Sequence, residues 1–432
     1  MFNLPAVQAA LREFQFDAWL LCDFRGSNLL ARRILDLADK PVMSRRFFYF
    51  IPAHGEPQKL VHRIETGALD HLPGSKTVYL RWQELEAGLA AMLARVVEKG
   101  HRHRAVENAA LPHAHPTSPA PPCEGGENPA PGQAPSSLRV AMEYSPRYGN
   151  PYVSRADAGL VELVRSFGAD VASSGDLIQL FEAAWDDEQW RMHLAAAVHT
   201  DSAYARVWKF IAEGVRAGRT LTERQVQEEI LRHFREHGLF ADHPPIVAVG
   251  PHSGDPHYET GDAPLREGDF VLVDLWAKLD RPRAVYSDLT RVGYIGKSVP
   301  QKYADIFRIV AAARDAAIAR VKSAFASGET LQGWQVDEAA REVIARAGYA
   351  EAFVHRTGHS IGQETHGNGA NMDNLETREE RRVLRRTCFS IEPGIYLPEF
   401  GVRSEINVFV DSQGTVHVTG GELQRDVVAV LA

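Results

Sequence analysis

Hydrophobic positions along the chain change their period partway, and that change divides it before any chemistry is considered. Pro5–Phe14 has the spacing of a short helix. Ala18–Cys22, Phe47–Ile51 and Val78–Leu80 are apolar strand-like runs with helical stretches between them, the pattern of an α/β domain. Between Pro112 and Ser137 lie eight of the 24 prolines, mixed with Gly, Ser, Asn and Ala. Such a segment supplies neither a packed core nor a regular ladder, so an insert over about 101–137 is expected to be loop or linker. Regular patterning returns at Leu138–Glu143, with a helical period over Asp157–Phe167 and a short strand at Asp170–Ala172.

From Asp186 onward the spacing predicts a long helix, with Trp190, Leu194, Val198 and Ala205 as its apolar face. The domain boundary is placed just before it, giving domains of 1–185 and 186–432. Thr222 with Gln225 has the form of a capping box opening a helix through Ile230 and Phe234, with Gly238 as its stop. Further helices are expected at Lys302–Ala326 and Trp334–Ala347, and strands at Phe270–Trp276, Ala284–Gly293, Phe389–Ile391 and Val402–Val410. Helices mixed with mostly antiparallel strands indicate an α+β second half.

Composition narrows the class without naming a function. At 432 residues, 44% hydrophobic and 24% charged, the chain is globular and long enough for two cores. A net charge of −8 and a pI near 6.1 give no footprint for nucleic acid or an anionic membrane. No apolar run approaches the ~18–20 residues of a membrane span, and Met1–Leu11 lacks the order of a signal peptide, so a cytoplasmic location is expected. Cys22, Cys123 and Cys388 are odd in number and far apart, which fits a reducing compartment. His101, His103, His113 and His115 cluster beside the Pro-rich insert and read as solvated loop histidines or an adventitious metal site.

The chemistry lies in acids placed where acids are costly. In Phe270–Trp276 the period of two puts Asp274 on the face of Phe270, Leu272 and Trp276, while Val271, Val273 and Leu275 make the other face apolar too. A carboxylate in so buried a strand needs an arginine or a cation. Asp288 repeats the pattern beside Thr290 and Arg291; Glu392 follows an apolar run and precedes Pro393–Gly394; Glu405 shares a face with Arg403 and Asn407. Each acid alone reads as a solvated edge residue or an ion-pair partner. If the four converge, their repulsion demands about four compensating charges, which two divalent cations would supply. A nitrogen ligand is then expected, and His359 between Gly358 and Gly362 is the candidate, the glycines allowing close backbone approach. His355 lies four residues earlier, but Gly358 opposes a helix and no Glu follows His355, so a HExxH site is rejected.

The segments Val273–Leu275, Tyr286–Arg291, Thr357–Gly362, Ser390–Tyr396 and Val402–Glu405 together resemble, in order, the five ligand motifs of the pita-bread metallopeptidase family of prolidase, aminopeptidase P and methionine aminopeptidase. The upstream part resembles the creatinase-type N-terminal domain, so the likeness covers nearly the whole chain apart from the insert. It implies an α+β pita-bread catalytic domain preceded by an α/β creatinase-like domain, a homodimer, and short peptides cleaved at their N-terminal end, with Xaa-Pro bonds preferred. It also implies that Asp274, Asp288, His359, Glu392 and Glu405 bind two divalent ions, Mn first and Co, Fe or Zn as alternatives, with Asp288 and Glu405 shared by both. His257 and His366 match substrate-side histidines that would steady an oxyanion, Glu392 would carry the proton, and His355 and Arg403 would line and support the pocket. All five ligand positions are intact, unlike those of metal-free creatinase. Asp274 and Asp288 stand farther apart than the family pattern, so a longer hairpin loop is expected through Lys278–Arg283.

Three rivals follow from the same residues. Gly358-His-Ser360-Ile-Gly362 fits G-x-S-x-G, which would make Ser360 a serine nucleophile, although the turn-rich Gln363–Asn371 does not read as the helix such an elbow opens. A non-catalytic binding module, or an enzyme acting on a non-peptide bond, would keep the same fold.

Overall fold

A computed structural model of the chain describes residues 2–109 and 137–432. It divides into two compact units, Met1–Leu177 and Ile178–Ala432, ahead of the 185/186 boundary expected from the sequence.

The first unit runs α1 (Leu4–Glu13), β1 (Ala18–Asp23), α2 (Leu29–Ile34), β2 (Phe47–Pro52), β3 (Gln58–His62), β4 (Ser75–Tyr79), α3 (Trp82–Ala109), β5 (Arg139–Met142), α4 (Ala158–Ser166) and β6 (Asp170–Ser173). Its strands form one mixed sheet in the order β4-β3-β2-β1-β5-β6. Ala18, Leu20, Phe48, Phe50 and Leu60 share a core with Leu85, Leu89 and Met92 of α3 and Val161 and Val164 of α4, so the sheet is covered as an α/β layer requires. Residues 101–109 of the expected loop continue α3 instead, and 110–136, with His113, His115 and Cys123, lie outside the described residues. A helix α5 (Gly175–Glu182) carries the chain into the second unit.

The second unit opens with α6 (Asp187–Arg216), whose N-cap Asp186 forms a capping box with Gln189. The helix was legible but its buried face was not. Leu194 and Val198 are 38% and 64% exposed, and Met192, His193, Ala196, Ala197, Thr200, Ala203 and Tyr204 face inward instead. Small side chains let the helix lie close on the sheet, and the Tyr204 hydroxyl reaches the Val273 and Leu289 carbonyls at 3.2 and 2.5 Å. Hydrophobicity alone marks the wrong stripe because this inner face is rich in alanine and hydrogen-bonded polar groups.

Then follow β7 (Leu221–Thr222), α7 (Glu223–Glu236), β8 (Leu239–Phe240), β9 (Ile246–Val249), β10 (Pro264–Leu265), β11 (Phe270–Leu279), β12 (Ser287–Tyr294), α8 (Gln301–Ser327), α9 (Gly333–Arg346), β13 (Ser360–Ile361), β14 (Cys388–Ile391), β15 (Gly394–Tyr396), β16 (Gly401–Arg403), β17 (Ile406–Val410), β18 (Val416–Thr419) and β19 (Val428–Ala429). The Thr222–Gln225 capping box is present at the start of α7, and Gly238 follows its end at φ 64°. One sheet has the order β19-β12-β11-β8 with β9 also on β11; a second runs β13-β14-β17-β18; β15 and β16 pair as a ribbon. Except for β12 with β19, the pairings in these sheets are antiparallel, giving the α+β layering expected.

Two strand expectations are corrected. Val402–Val410 is two strands, broken at Ser404–Glu405 where the chain crosses from the ribbon to the second sheet. Ala284–Tyr286 are buried but unpaired with β11, because the connection leaves Arg283 at φ 63° and the Tyr286 amide bonds the Gly362 carbonyl at 3.0 Å. The longer connection therefore runs over 280–286, and Lys278 still belongs to β11.

Candidate metal centre

Antiparallel register assembles one wall of the site. Asp274 pairs with Thr290 and Trp276 with Asp288, so all four side chains share one face of the β11–β12 hairpin. The break before β17 brings the second wall against it. The Glu405 amide donates to the Thr290 carbonyl at 3.1 Å, and two residues on, Asn407 Oδ1 accepts from the Asp288 amide at 3.0 Å while its Nδ2 donates to the Asp288 carbonyl. Asp288, His359 and Glu405 each place a ligand atom within 4.8 Å of the others, and all three are buried.

His359 is held by its surroundings. Its amide donates to Ser390 Oγ at 3.0 Å, and Ser390 Oγ donates to Glu392 Oε1 at 3.1 Å. Nδ1 lies 3.2 Å from the Ser360 carbonyl, which can only accept, so Nδ1 carries the proton. The lone pair of Nε2 then faces Asp288 Oδ2 and Glu392 Oε1, each 3.5 Å away. A lone pair aimed at two carboxylates is repulsive unless a cation or a further proton intervenes, and burial lowers the pKa of His359 against that proton.

The other side chains form a chain of hydrogen bonds whose directions are consistent. His355 Nδ1 donates to the Arg356 carbonyl and Nε2 accepts from Tyr396 Oη, at 2.6 and 2.7 Å. Tyr396 Oη accepts from Arg403 Nη1 at 2.9 Å. Arg403 Nε donates to Thr290 Oγ1 at 3.1 Å, and Thr290 Oγ1 to Glu405 Oε2 at 2.8 Å. Arg403 Nη2 meets Asp274 Oδ2 at 2.5 Å. Arg403 thus pairs with Asp274 and lies 4.0 Å from Glu392, and Asp274 Oδ1 and Asp288 Oδ1 are buried with no hydrogen-bond partner among the described residues. Burial first, then the charge of Asp274, pushes the Asp288 carboxyl well above its usual range. Burial followed by Asp288 does the same to Glu405, and burial raises Glu392 against the pull of His359 and Arg403. Orphaned acceptors, excess negative charge and one inward imidazole nitrogen are the donor set of a divalent first-row metal, so these residues fit such an ion.

His366 stacks edge-on against His359, centroids 4.4 Å apart, and is held below its ordinary pKa first by His359 and then by burial. Burial and then Arg403 bring His355 down to about 3. His257 lies on an exposed turn, its amide on Asp255 Oδ1 at 3.0 Å and the adjacent Pro256 carbonyl 3.4 Å from Arg403 Nη1, and its charge is felt at both His355 and His366. Ser360 is buried in β13, its Oγ accepts from the Gly369 amide at 2.9 Å, and turns rather than a helix follow it, so no nucleophile elbow is formed. Thr290, Ser390, Tyr396 and Asn407 were not singled out from the sequence. Thr290 and Asn407 lie on the same alternation as Asp288 and Glu405, and a search for buried neutral polar groups, not only charged ones, would have found them.

Residues 191–412 match the sequence profile of metallopeptidase family M24, 222 of the 432 positions. The chain belongs to metallopeptidase family M24. Curated M24 relatives include the probable dipeptidase PepE of Mycobacterium tuberculosis, 36% identical over 239 residues, covering 54% of this chain and 58% of the relative. The putative dipeptidase YkvY of Bacillus subtilis is 31% identical over 253 residues, covering 58% and 64%. The match thus spans less than two thirds of these relatives' length. Among solved structures, dipeptidase PepE from Mycobacterium ulcerans superposes with a TM-score of 0.61 at 24% identity, covering 99% of this chain and 96% of its own. The Xaa-Pro dipeptidase from Bacillus anthracis gives 0.54 at 19%, covering 98% of each. An X-prolyl aminopeptidase from Caenorhabditis elegans, described as a cytosolic enzyme with a di-nuclear active site, gives 0.53 at 16%, covering 96% of this chain and 60% of that one. The structural similarity to M24 pita-bread enzymes therefore extends over nearly the whole chain, including the N-terminal domain. Among the described residues no helix is long and apolar enough to cross a membrane.

Proposed function

We propose that this M24 protein is a two-metal hydrolase that removes the N-terminal residue from short peptides, with Xaa-Pro bonds as its preferred class. The observation that carries this reading is the inward Nε2 of His359 among Asp288, Glu392 and Glu405, beside carboxylate oxygens that lack partners. The relatives named dipeptidase and Xaa-Pro dipeptidase support the substrate class. Asp274, Asp288, His359, Glu392 and Glu405 would hold the ions, with Mn(II) first and Co(II), Fe(II) or Zn(II) as alternatives, and Asp288 and Glu405 shared between them. Divalent ions bound there supply Lewis acidity that lowers the pKa of a water and polarises a carbonyl.

The protein's own groups then divide the work. Glu392, its carboxyl raised by burial, takes a proton from the attacking water and returns it to the leaving amine. His366, held neutral, keeps a ring N–H to donate to the developing oxyanion, and His257 approaches from the exposed turn as the second donor. His355, tied to Tyr396, lines the substrate side, and Arg403 fixes Asp274. A cytoplasmic location is proposed with it, as for the Caenorhabditis elegans neighbour described as cytosolic.

The test is a panel of Xaa-Pro dipeptides, Xaa-Pro-Yaa tripeptides and Met-Ala peptides, run on chelator-stripped protein with and without Mn(II). Turnover should be restored by Mn(II) and abolished by EDTA, with bound metal counted per chain. Peptide turnover that survives complete metal removal would overturn the reading.

A further inference from the structure

Strand β8 ends its pairing with β11 at Phe240 opposite Lys278, and β9 begins at Ile246 opposite Asp274. Residues 241–245 therefore stand opposite only 275–277, and the surplus bulges outward beside Trp276. Asp242 lies in this bulge. Its carboxylate accepts from Trp276 Nε1 at 2.8 Å and from Thr365 Oγ1 at 3.3 and 3.4 Å, and the Tyr286 side chain also contacts it.

Both anchors neighbour residues of the metal centre. Trp276 is the cross-strand partner of Asp288, and Thr365 precedes His366, whose ring lies on His359. Asp242 therefore lies close to the acid cluster, and its charge is felt at Asp288 and at His366. The hydrogen bonds it accepts come from uncharged donors, including the His243 amide at 3.0 Å. The nearby Lys278 ammonium is engaged with the Gln363 carbonyl at 2.5 Å and the Tyr286 ring at 4.8 Å, and the His243 imidazole, 3.6 Å from Asp242, is 77% exposed. The side chain of Asp242 is itself 36% exposed. A carboxylate fixed in place by neutral groups at the edge of a catalytic cluster, and open on one side, is a receptor for a cation.

We propose that Asp242 is a specificity-determining residue that receives an ammonium group of the substrate's first residue. The proposal rests on the peptide reading above, and lies outside the five ligand motifs. Two sources share this chemistry, the α-ammonium of any peptide and the side chain of an N-terminal lysine, and the test separates them.

Wild-type, Asp242→Asn and Asp242→Glu proteins are compared on Lys-Pro, Ala-Pro, Glu-Pro and lactyl-Pro, in which a hydroxyl replaces the amine, and on the matching Xaa-Ala set. KM and kcat are read on the Mn(II)-loaded protein, and Kd by calorimetry on the stripped protein. Asp242→Asn keeps the size of the side chain and its contact with Trp276 while removing the charge. It should raise KM and Kd about ten-fold, the size of one charge-assisted contact, with kcat changed much less. A rise confined to the Lys peptides assigns the side chain. An equal rise for Lys, Ala and Glu peptides that spares the lactyl analogue assigns the α-ammonium. Asp242→Glu should recover part of the loss in either case. Unchanged KM and Kd, or an equal loss for the lactyl analogue, overturns the proposal. Wild-type turnover of any peptide upholds the peptide reading whatever Asp242 does, whereas binding without turnover sinks that reading and leaves the Kd comparison to decide Asp242.

Discussion

At Gly358 the backbone runs so close to the Ser390 carbonyl oxygen that a Cβ would overlap it, and the same contact seats the next residue, His359, on Ser390 Oγ. Glycine is needed here for space rather than for its dihedral freedom. Gly358→Ala should cost about 1–3 kcal/mol, the usual penalty of forcing atoms into a filled interior, and should swing the His359 ring out of place. Urea unfolding and a divalent-metal titration should both register it. Gly362→Ala is the control, because a Cβ there meets nothing nearer than 3.9 Å and should change little. Equal midpoints for the two variants would remove Gly358 as the constraint. The same crowding explains what could be read at single positions and what could not. An acid in an apolar strand announces itself, whereas Thr290 and Tyr396 are ordinary β-strand residues whose roles show only once Arg403 lies between them.

Between elements, the joint that matters most is Asn407, fully buried, whose amide closes both backbone groups of Asp288 and so ties β17 to β12. Asn407→Leu keeps much of the volume but leaves a buried amide and a buried carbonyl unpaired, at about 1–3 kcal/mol each. The expected outcome is a large fall in the unfolding midpoint together with weaker divalent binding, since Asp288 lies on β12 and Glu405 immediately precedes β17, the two strands that separate. A midpoint that falls without any change in metal affinity would show that the joint supports the fold and not the centre. Local signals in these elements were legible: the capping box at Thr222, the lengths of α8 and α9, and the alternation of β11 all follow from neighbours in sequence. The α6 face and the break at Ser404–Glu405 were not, because both are set by what packs across. Ala196, Ala197 and Thr200 are chosen for close approach to a sheet, and a run of apolar alternation does not record where a strand changes sheets.

In the second unit as a whole, one histidine of α6 bridges the approach to β12 and the second sheet. His193 of α6 is fully buried, donates from Nδ1 to the Tyr286 carbonyl at 2.8 Å just ahead of β12, and accepts at Nε2 from Thr419 Oγ1 of β18 at 2.6 Å. Trp185 and Trp190 flank its ring, with Phe409 stacked on both indoles. The bond accepted at Nε2 requires the neutral ring, and burial brings its pKa down to about 4. An unfolded histidine titrates near 6.5, so the neutral clamp contributes its full stability above that pH and loses it as the pH falls through about 4. The loss is on the order of 3 kcal/mol for a shift of this size. Urea unfolding at pH 7.5 and 4.5, with chelator throughout so that the acid cluster contributes equally to both proteins, should show a larger drop in the wild type than in His193→Gln. His193→Gln can still donate to Tyr286 but cannot take up a proton, so it should be less stable at pH 7.5 and flatter across the interval. Parallel pH slopes in the two proteins would show that the acid sensitivity of this unit arises elsewhere.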